Sequence, residues 1–307
     1  MFREPPDIRG QQFARPLRSI VVAGLVGSML AGVSAAADDT AVDDDVLSRL
    51  GTRSGLEITL GAWVPRLEGD ITLGDGGTAL NAGADLSLDD SRAIFSGELE
   101  FETDRWRVLA GAYVIRVGGN GALQQRSVID GRQVAAGTTV SSQVDVWSIN
   151  GEASWAFFTP LRAQRFAWSD PRTDHESNGF IDLALELVGG ARILNIDQQY
   201  DVSGLGRVGS NRAWVSPYVG VGCRIDWSTR RSIGLLERIE FDFTSGWGPA
   251  FAGGTSTFMV RTDVSVYVTT SLAVTLGYQL NDWNVTRDDD TFDGGLQGLY
   301  AGLRYHW

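Results

Sequence analysis

The sequence has no lysine and a single cysteine, Cys223, among its 307 residues. One cysteine excludes a disulfide framework and a zinc site built from cysteines. All 26 basic residues are arginine and 38 residues are acidic, so the formal net charge is −12. Nucleic-acid-binding proteins need a basic surface, and this balance therefore argues against a nucleic-acid partner.

Long apolar runs are scarce as well. The mean hydropathy of −0.07 does not suit a helical membrane protein, because each of its spans needs about 20 apolar residues in a row. The abundant residues are glycine, with 38 copies, and tryptophan, with 10 copies. An architecture for this chain has to account for both residue types alongside an average hydrophobicity.

The N-terminus is typical of a secretory signal peptide. Four arginines precede Ser19, an apolar stretch extends to Ser34, and three alanines follow. We expect the signal peptide to comprise residues 1–37, with cleavage after Ala35 or after Ala37. A membrane anchor is the alternative, although an apolar stretch of about 15 residues is short for a span. Residues 38–54 are acidic and have no apolar period, which predicts a flexible leader.

From Leu56 onward, apolar residues recur at every second position, as they do in strands with one apolar face. We predict an all-β fold with about ten strands (range 8–12) over residues 55–307. The predicted strands are 55–67, 91–103, 106–117, 143–157, 179–196, 212–227, 236–247, 255–268, 272–285 and 295–307. Short and long links alternate between them, with an exception at 158–178, and this order favours a transmembrane antiparallel up-and-down β-barrel.

The strands of a soluble β-sandwich would also alternate between apolar and polar residues. The charged face of the strands therefore decides between a sandwich and a transmembrane barrel. That face carries eleven carboxylates and seven arginines: Glu57, Arg92, Glu98, Glu100, Glu102, Arg107, Glu152, Asp182, Glu186, Arg192, Arg224, Asp226, Arg238, Glu240, Asp242, Arg261, Asp263 and Arg304. In a lipid-embedded barrel the apolar face meets lipid and the charged face lines the lumen.

The tryptophans lie near the ends of the predicted strands, which favours the barrel. One set of ends holds Trp106, Trp155, Trp227 and Trp307, and the other holds Trp63, Trp214, Trp247 and Trp283. An indole ring prefers the membrane interface, because its ring is apolar while its N–H needs a polar partner. We therefore expect two aromatic girdles.

We predict a lumen plugged by Arg–carboxylate pairs. The planar guanidinium of arginine holds two carboxylate oxygens and can bridge several acids, and a barrel of about ten strands has little room beyond its own side chains. A narrow water path with a preference for cations is the alternative, because acids outnumber arginines in the predicted lumen.

The final strand, Gly295–Trp307, ends in an aromatic residue after alternating apolar positions. It resembles the C-terminal signal of Gram-negative outer-membrane barrels, which the barrel assembly machinery reads. Other segments are similar to small outer-membrane barrels of the OmpA and OmpW type: Leu187–Ile193, Val215–Ile225, Leu272–Leu280 and Leu299–Trp307. The resemblance covers residues 55–307. It implies a place in the cell outer membrane, with outer-membrane lipid and lipopolysaccharide as partners, and it implies no activity.

Catalysis is not expected. Outer-membrane hydrolases and proteases resemble one another in placing a histidine beside serine or aspartate, because its pKa lies near neutral. The chain has only His175, in the link 158–178, and His306, next to the C-terminus. We predict no catalytic residue, no cofactor, no metal site, and a structural or surface-interaction role. A narrow channel or binding barrel for a small solute of unknown identity, and a surface hydrolase, are the alternatives.

Overall fold

The computed structural model describes residues 55–103, 105–160, 181–228, 236, 238–250, 254–269, 271–287 and 289–307. The predicted signal peptide, the leader and residues 161–180 with His175 lie outside these ranges. The regular elements within them are strands. No helix in these ranges is long and apolar enough to cross a membrane.

Ten strands form the wall of a closed barrel. They are β1 (Gly55–Thr72), β3 (Ile94–Glu102), β4 (Trp106–Ala122), β7 (Thr139–Phe158), β8 (Ile181–Val202), β9 (Gly206–Ser228), β10 (Arg238–Gly248), β11 (Gly254–Tyr267), β12 (Leu272–Arg287) and β13 (Asp290–His306). Each wall strand pairs antiparallel with the next one along the chain, and β13 closes the ring on β1, from Glu57 opposite His306 to Thr72 opposite Thr291. The predicted antiparallel up-and-down barrel of about ten strands is confirmed.

An apolar band surrounds the part of the wall near the chain ends. We name the end where β1 begins and β13 ends the lower end of the barrel. In the lower part of the wall strands the outward side chains are mostly apolar; on β1 they extend from Leu56 to Val64. Phe95, Val219 and Leu299 in this band are 70%, 71% and 69% exposed. A continuous exposed apolar band belongs in hydrocarbon, so the lower part of the wall spans the membrane.

Above this band the two faces of the wall exchange their polarity. On β4 the outward residue after Val114 is Arg116, and on the paired strand β7 the outward residue above Trp147 is Asp145. Strands β8 and β9 have 22 and 23 residues, about twice the length that crosses a bilayer. Their upper parts therefore stand in water, where burial of apolar side chains inside the barrel is favourable.

The inward side chains of these upper parts form one apolar cluster. It includes Trp63, Leu67, Ile71, Tyr113, Ile115, Val117, Val140, Val144, Val146, Leu194, Ile196, Tyr200, Trp214, Trp283, Phe292 and Leu296. We name this cluster the upper core. In the membrane-spanning part of the lumen, which is mostly charged, the buried apolar cluster is small and consists of Val188, Tyr218 and Met259.

The upper core is completed by the segment between β1 and β3. Residues 73–93, which we name the plug, contain the short strand β2 (Leu80–Asn81), and Leu80, Leu86 and Leu88 are buried in the upper core. The plug lies directly on the inward face of β4: a Cβ atom on Gly121 would come within 2.0 Å of the backbone oxygen of Asp85. Glycine is needed at this position because the two backbones approach so closely.

A small hairpin covers the plug. It consists of β5 (Ser127–Ile129) and β6 (Arg132–Val134). The Val128 N–H donates to Thr78 Oγ1 at 2.9 Å, and the Asp130 N–H donates to the Leu73 oxygen at 3.0 Å. These bonds hold the hairpin against the plug, and the apolar side chains of Ile129 and Val134 join the upper core.

The long links predicted at the upper end were partly wrong. The predicted links 197–211 and 286–294 are mostly strand, because β8 and β9 continue until residues 203–205 join them and β12 continues to Arg287. The outward face of each strand stays apolar only in its lower part, and the predicted strands end where this apolar alternation ends. The strands themselves continue upward, from lipid into water.

The predicted upper girdle was also partly wrong. Trp63, Trp214 and Trp283 are 1%, 2% and 1% exposed and point inward. Trp247 does face outward, at 57% exposure. Each of the three inward tryptophans is in phase with the polar inward residues of its own strand, and this phase was the signal for their position. At the lower end, Trp106, Trp227 and Trp307 are exposed as predicted.

Candidate functional site: the barrel lumen

The membrane-spanning part of the lumen carries the charges that the sequence assigned to it, with one exception. Eleven carboxylates and six arginines line it: Glu57, Glu98, Glu100, Glu102, Glu152, Asp182, Glu186, Asp226, Glu240, Asp242, Asp263, Arg107, Arg192, Arg224, Arg238, Arg261 and Arg304. The prediction for Arg92 was wrong. Strand β3 begins only at Ile94, so Arg92 does not share its alternation and is exposed on the outside of the barrel.

Arg107 on β4 spans the lumen. Its Nη1 donates to Asp242 Oδ1 at 2.8 Å on β10, and its Nη2 donates to Glu186 Oε2 at 2.8 Å on β8. Glu100 lies 3.8 Å from the same guanidinium. Strands β4 and β10 lie on opposite sides of the ring, separated by β7, β8 and β9. A single side chain therefore connects the two sides of the lumen at this height.

Arg304 on the closing strand forms a second centre. Its Nη1 donates to Glu240 Oε1 at 2.8 Å, and its other contacts are Asp263 at 3.4 Å, Glu57 at 3.7 Å and Asp242 at 3.8 Å. Because Asp242 contacts both Arg107 and Arg304, the two centres belong to one network. Each arginine is surrounded by acids from several strands, as a bridging role for the guanidinium predicts.

Two further arginines extend this network. Arg224 lies 2.7 Å from Glu102 and 3.9 Å from Glu186. Arg238 donates to Glu240 at 2.5 Å, and its guanidinium stacks over the Tyr267 ring at 3.9 Å. We name the ion pairs of Arg107, Arg224, Arg238 and Arg304 the ion network. The predicted Arg–carboxylate pairing of the lumen is seen in this network.

A small cavity separates the ion network from the upper core. Its volume is about 30 Å³, and its lining includes Glu98, Glu152, Tyr113, Arg192 and Asn281. The Arg192 Nε, the Tyr113 hydroxyl and both amide atoms of Asn281 have no hydrogen-bond partner among the described residues. A volume of this size holds about one or two waters. It suits ordered water that satisfies buried polar atoms, and it is too small for a solute.

The upper core lies above this cavity. Trp63 and Tyr113 meet edge to face, with ring centroids 5.1 Å apart, an arrangement that adds to the stability gained from burial. Higher up, burial raises the pKa of the Tyr200 hydroxyl, and the nearby Asp290 raises it further. The hydroxyl therefore stays neutral, and it donates to Gln198 Oε1 at 2.7 Å.

His306 lies at the lower mouth of the barrel. Its Nδ1 is 3.0 Å from Glu57 Oε1, and the Tyr267 hydroxyl donates to the same oxygen at 3.3 Å. This histidine is thus engaged with the ion network. In the described part of the chain, no group of three histidine, cysteine, aspartate or glutamate side chains could hold a metal ion. The absence of catalytic and cofactor-binding residues stays a prediction.

The sequence matches no protein-family model and no curated protein sequence. Among solved structures it is similar to the outer membrane protease OmpT from Escherichia coli, with 10% identity and a TM-score of 0.41 over 83% of this chain and 96% of that chain. It is also similar to neisserial surface protein A, with 14% identity and a TM-score of 0.29 over 83% and 96% of the two chains. A third similar structure is Ail, the attachment invasion locus protein of Yersinia pestis, with 12% identity and a TM-score of 0.31 over 82% and 99%.

Proposed function

We propose that the chain is an integral outer-membrane β-barrel with a closed lumen and a structural or surface-interaction role. The observation that carries this proposal is that two layers of side chains occupy the lumen: the ion network, and above it the upper core with the plug. The ion network occupies the membrane-spanning lumen, where Arg107 reaches carboxylates on two other strands at 2.8 Å. Above it, the upper core and the plug bury Leu86 and Leu88 completely. We infer that these two layers together close the lumen to solutes.

The proposal includes export and orientation. The signal peptide, residues 1–37, directs the chain across the inner membrane, and the leader 38–54 remains in the periplasm. The short link between β11 and β12 lies at the lower end and the long plug lies at the upper end, which is the usual arrangement of periplasmic turns and external loops. The barrel assembly machinery reads the strand that ends at Trp307. Outer-membrane lipid and lipopolysaccharide surround the apolar band.

The proposal also excludes enzymatic activity. His306 is held on Glu57 at the lower mouth, away from the surface where a hydrolase would meet its substrate. A panel of ester and peptide substrates should give no turnover above that of a His306→Ala variant. Turnover that disappears in the variant would favour the surface hydrolase instead.

Single-channel recording of the purified barrel in planar bilayers tests the closed lumen. The wild-type protein should give no steady conductance, while its heat-dependent migration on a denaturing gel should report a folded barrel. A steady, cation-selective conductance would overturn the closed lumen and favour the narrow channel. A protein that fractionates as soluble and migrates identically with and without heating would overturn the barrel as a membrane protein.

Two glycine variants test the plug separately from the ion network. Gly121→Val forces the plug away from β4, because its Cβ would come within 2.0 Å of Asp85. Gly151→Val is the matched control, since a Cβ there meets nothing within 4 Å. Displacing the plug alone should leave the barrel non-conducting, because the ion network still fills the lumen below. If Gly121→Val conducts and Gly151→Val does not, the plug is the only seal and the lower lumen is hydrated.

A further inference from the structure

A polar pocket lies on the outside of the wall, directly above the apolar band. It is open to solvent, has a volume of about 310 Å³, and is formed by the upper parts of β4, β7, β8 and β9 together with the end of the plug. Its lining includes Arg92, Arg116, Arg207, Asp201, Gln143 and Gln199. Three arginines against one aspartate make this lining positive, on a protein whose net charge is −12.

The three arginines of the pocket are arranged differently. The Nε and Nη2 atoms of Arg116 donate to the two oxygens of Asp145 at 2.8 and 2.9 Å, which fixes the guanidinium plane. The same hydrogen bond and charge raise the pKa of Arg116. Among the described residues, Arg92 and Arg207 make no ion pair. Two cationic groups thus remain available beside a third that is held in place.

The height of the pocket is set by the strand register. Val114 faces Trp147 across β4 and β7, and this pair is the last apolar outward pair. The next outward pair along the same strands is Arg116 and Asp145. Two residues advance about 7 Å along a strand, so Arg116 lies at the level of the lipid headgroups. Arg207, which faces Asp201 on β8, lies higher on the same side of the barrel.

We propose that Arg92, Arg116 and Arg207 form a binding site for the phosphate-bearing headgroup of lipopolysaccharide in the outer leaflet. Phosphate oxygens match the fork of a guanidinium, and the pocket is large enough for a phosphorylated sugar. Gln143, Gln199 and Ser141 supply hydrogen-bonding groups for its hydroxyls. The acyl chains would continue downward over Val114 and Trp147, which are exposed in the apolar band. This inference rests on the proposed outer-membrane orientation.

Binding of purified lipid A to the folded full-length barrel in detergent, measured by native mass spectrometry, tests the site. The double variant Arg92→Gln/Arg207→Gln should weaken the binding of bisphosphorylated lipid A by about tenfold or more, because two charge-assisted contacts are lost. Arg126→Gln/Arg132→Gln is the matched control: it removes two exposed arginines outside the pocket, one directly before the hairpin and one within it. It should change binding less than about twofold.

Three outcomes would overturn the site. Equal affinity for lipid A without phosphates would mean that only the acyl chains bind. An equal loss in the hairpin control would mean that the arginines act through unspecific charge. Displacement of the lipid by millimolar inorganic phosphate would identify free phosphate as the ligand. Surface labelling of an Arg132→Cys variant in whole cells tests the orientation separately, so failure of the proposed function is distinguishable from failure of the site.

Discussion

The lower and upper halves of this barrel are built from the same strands and have opposite polarity. In the membrane-spanning half the outside is apolar and the inside holds the ion network. In the upper half the outside carries pairs such as Arg116 and Asp145, and the inside holds the upper core. The difference shows that strand alternation alone does not define an interior. In the lower half the charged side chains are buried away from lipid, and in the upper half the apolar side chains are buried away from water. In each case the surroundings solvate the buried groups poorly.

The two halves should respond most differently to loss of a central side chain. Arg107→Met removes the centre of the ion network and leaves Asp242 and Glu186 without their 2.8 Å partners. We expect the free energy of unfolding to fall by about 3–5 kcal/mol, as for a broken buried ion pair. Urea unfolding in lipid vesicles, followed by tryptophan fluorescence, measures this. The exposed Arg105→Met is the control, and an equal response of both variants would mean a hydrated lumen.

Leu86→Ala tests the upper half. Leu86 is fully buried in the upper core, so its truncation should cost toward the lower end of about 2–5 kcal/mol, because the plug can settle into the space. The effect should be local and is best measured as faster amide hydrogen exchange in residues 73–93. Leu60→Ala is the matched control, since Leu60 faces lipid at 51% exposure. Accelerated exchange throughout the barrel would contradict a separately packed upper half.

The outward ion pair of the upper half should matter less than the lumen pairs. Arg116→Gln removes both hydrogen bonds to Asp145. We expect a loss of no more than about 1 kcal/mol, because the pair is exposed to water and screened by salt. Repeating the urea titration at low and high salt checks this, as the small difference should shrink with salt. A loss as large as that of Arg107→Met would mean that the upper wall is shielded from water.

The smallest expected effect is a gain in stability at neutral pH. Partial burial raises the pKa of Asp282 above its ordinary value of 3.8, and Asp293 raises it further. A carboxyl whose pKa is higher in the folded state destabilises the fold when ionised, so its penalty is complete above the folded pKa and vanishes below the unfolded one. Asp282→Asn should therefore be slightly more stable than the wild type at neutral pH, with no difference near pH 3. A stability difference that is independent of pH would contradict this assignment.

The lumen charges were predictable because they follow a local rule. Within a membrane-spanning strand, side chains alternate between lipid and lumen, so Glu57, Arg107 and Asp242 could be assigned from their own segments. The rule fails at Arg92, which precedes its strand. At Trp63 the rule gives the correct answer, because this residue is in phase with Glu57 and its ring is buried; the prediction of an interface position came instead from its place near a strand end.

The plug and the outer pocket were not predictable from alternation. The contact between Gly121 and Asp85 joins a strand to a loop of irregular structure, and no periodicity in either segment encodes it. The pocket depends on side chains from four neighbouring strands and one loop. Such sites exist only after the strands have been placed beside one another in register.

The sequence by itself determined the strand number, the antiparallel order and the charged face, because the period of two and the alternation of links are properties of neighbouring residues. The tertiary structure decided which groups meet. Arg107 pairs with acids 79 and 135 residues away in the chain, and the same strand turns apolar inside where it leaves the lipid. These contacts are set by closure of the ring and by the boundary between hydrocarbon and water. Both depend on the assembled barrel, so the sequence of a single strand does not determine them.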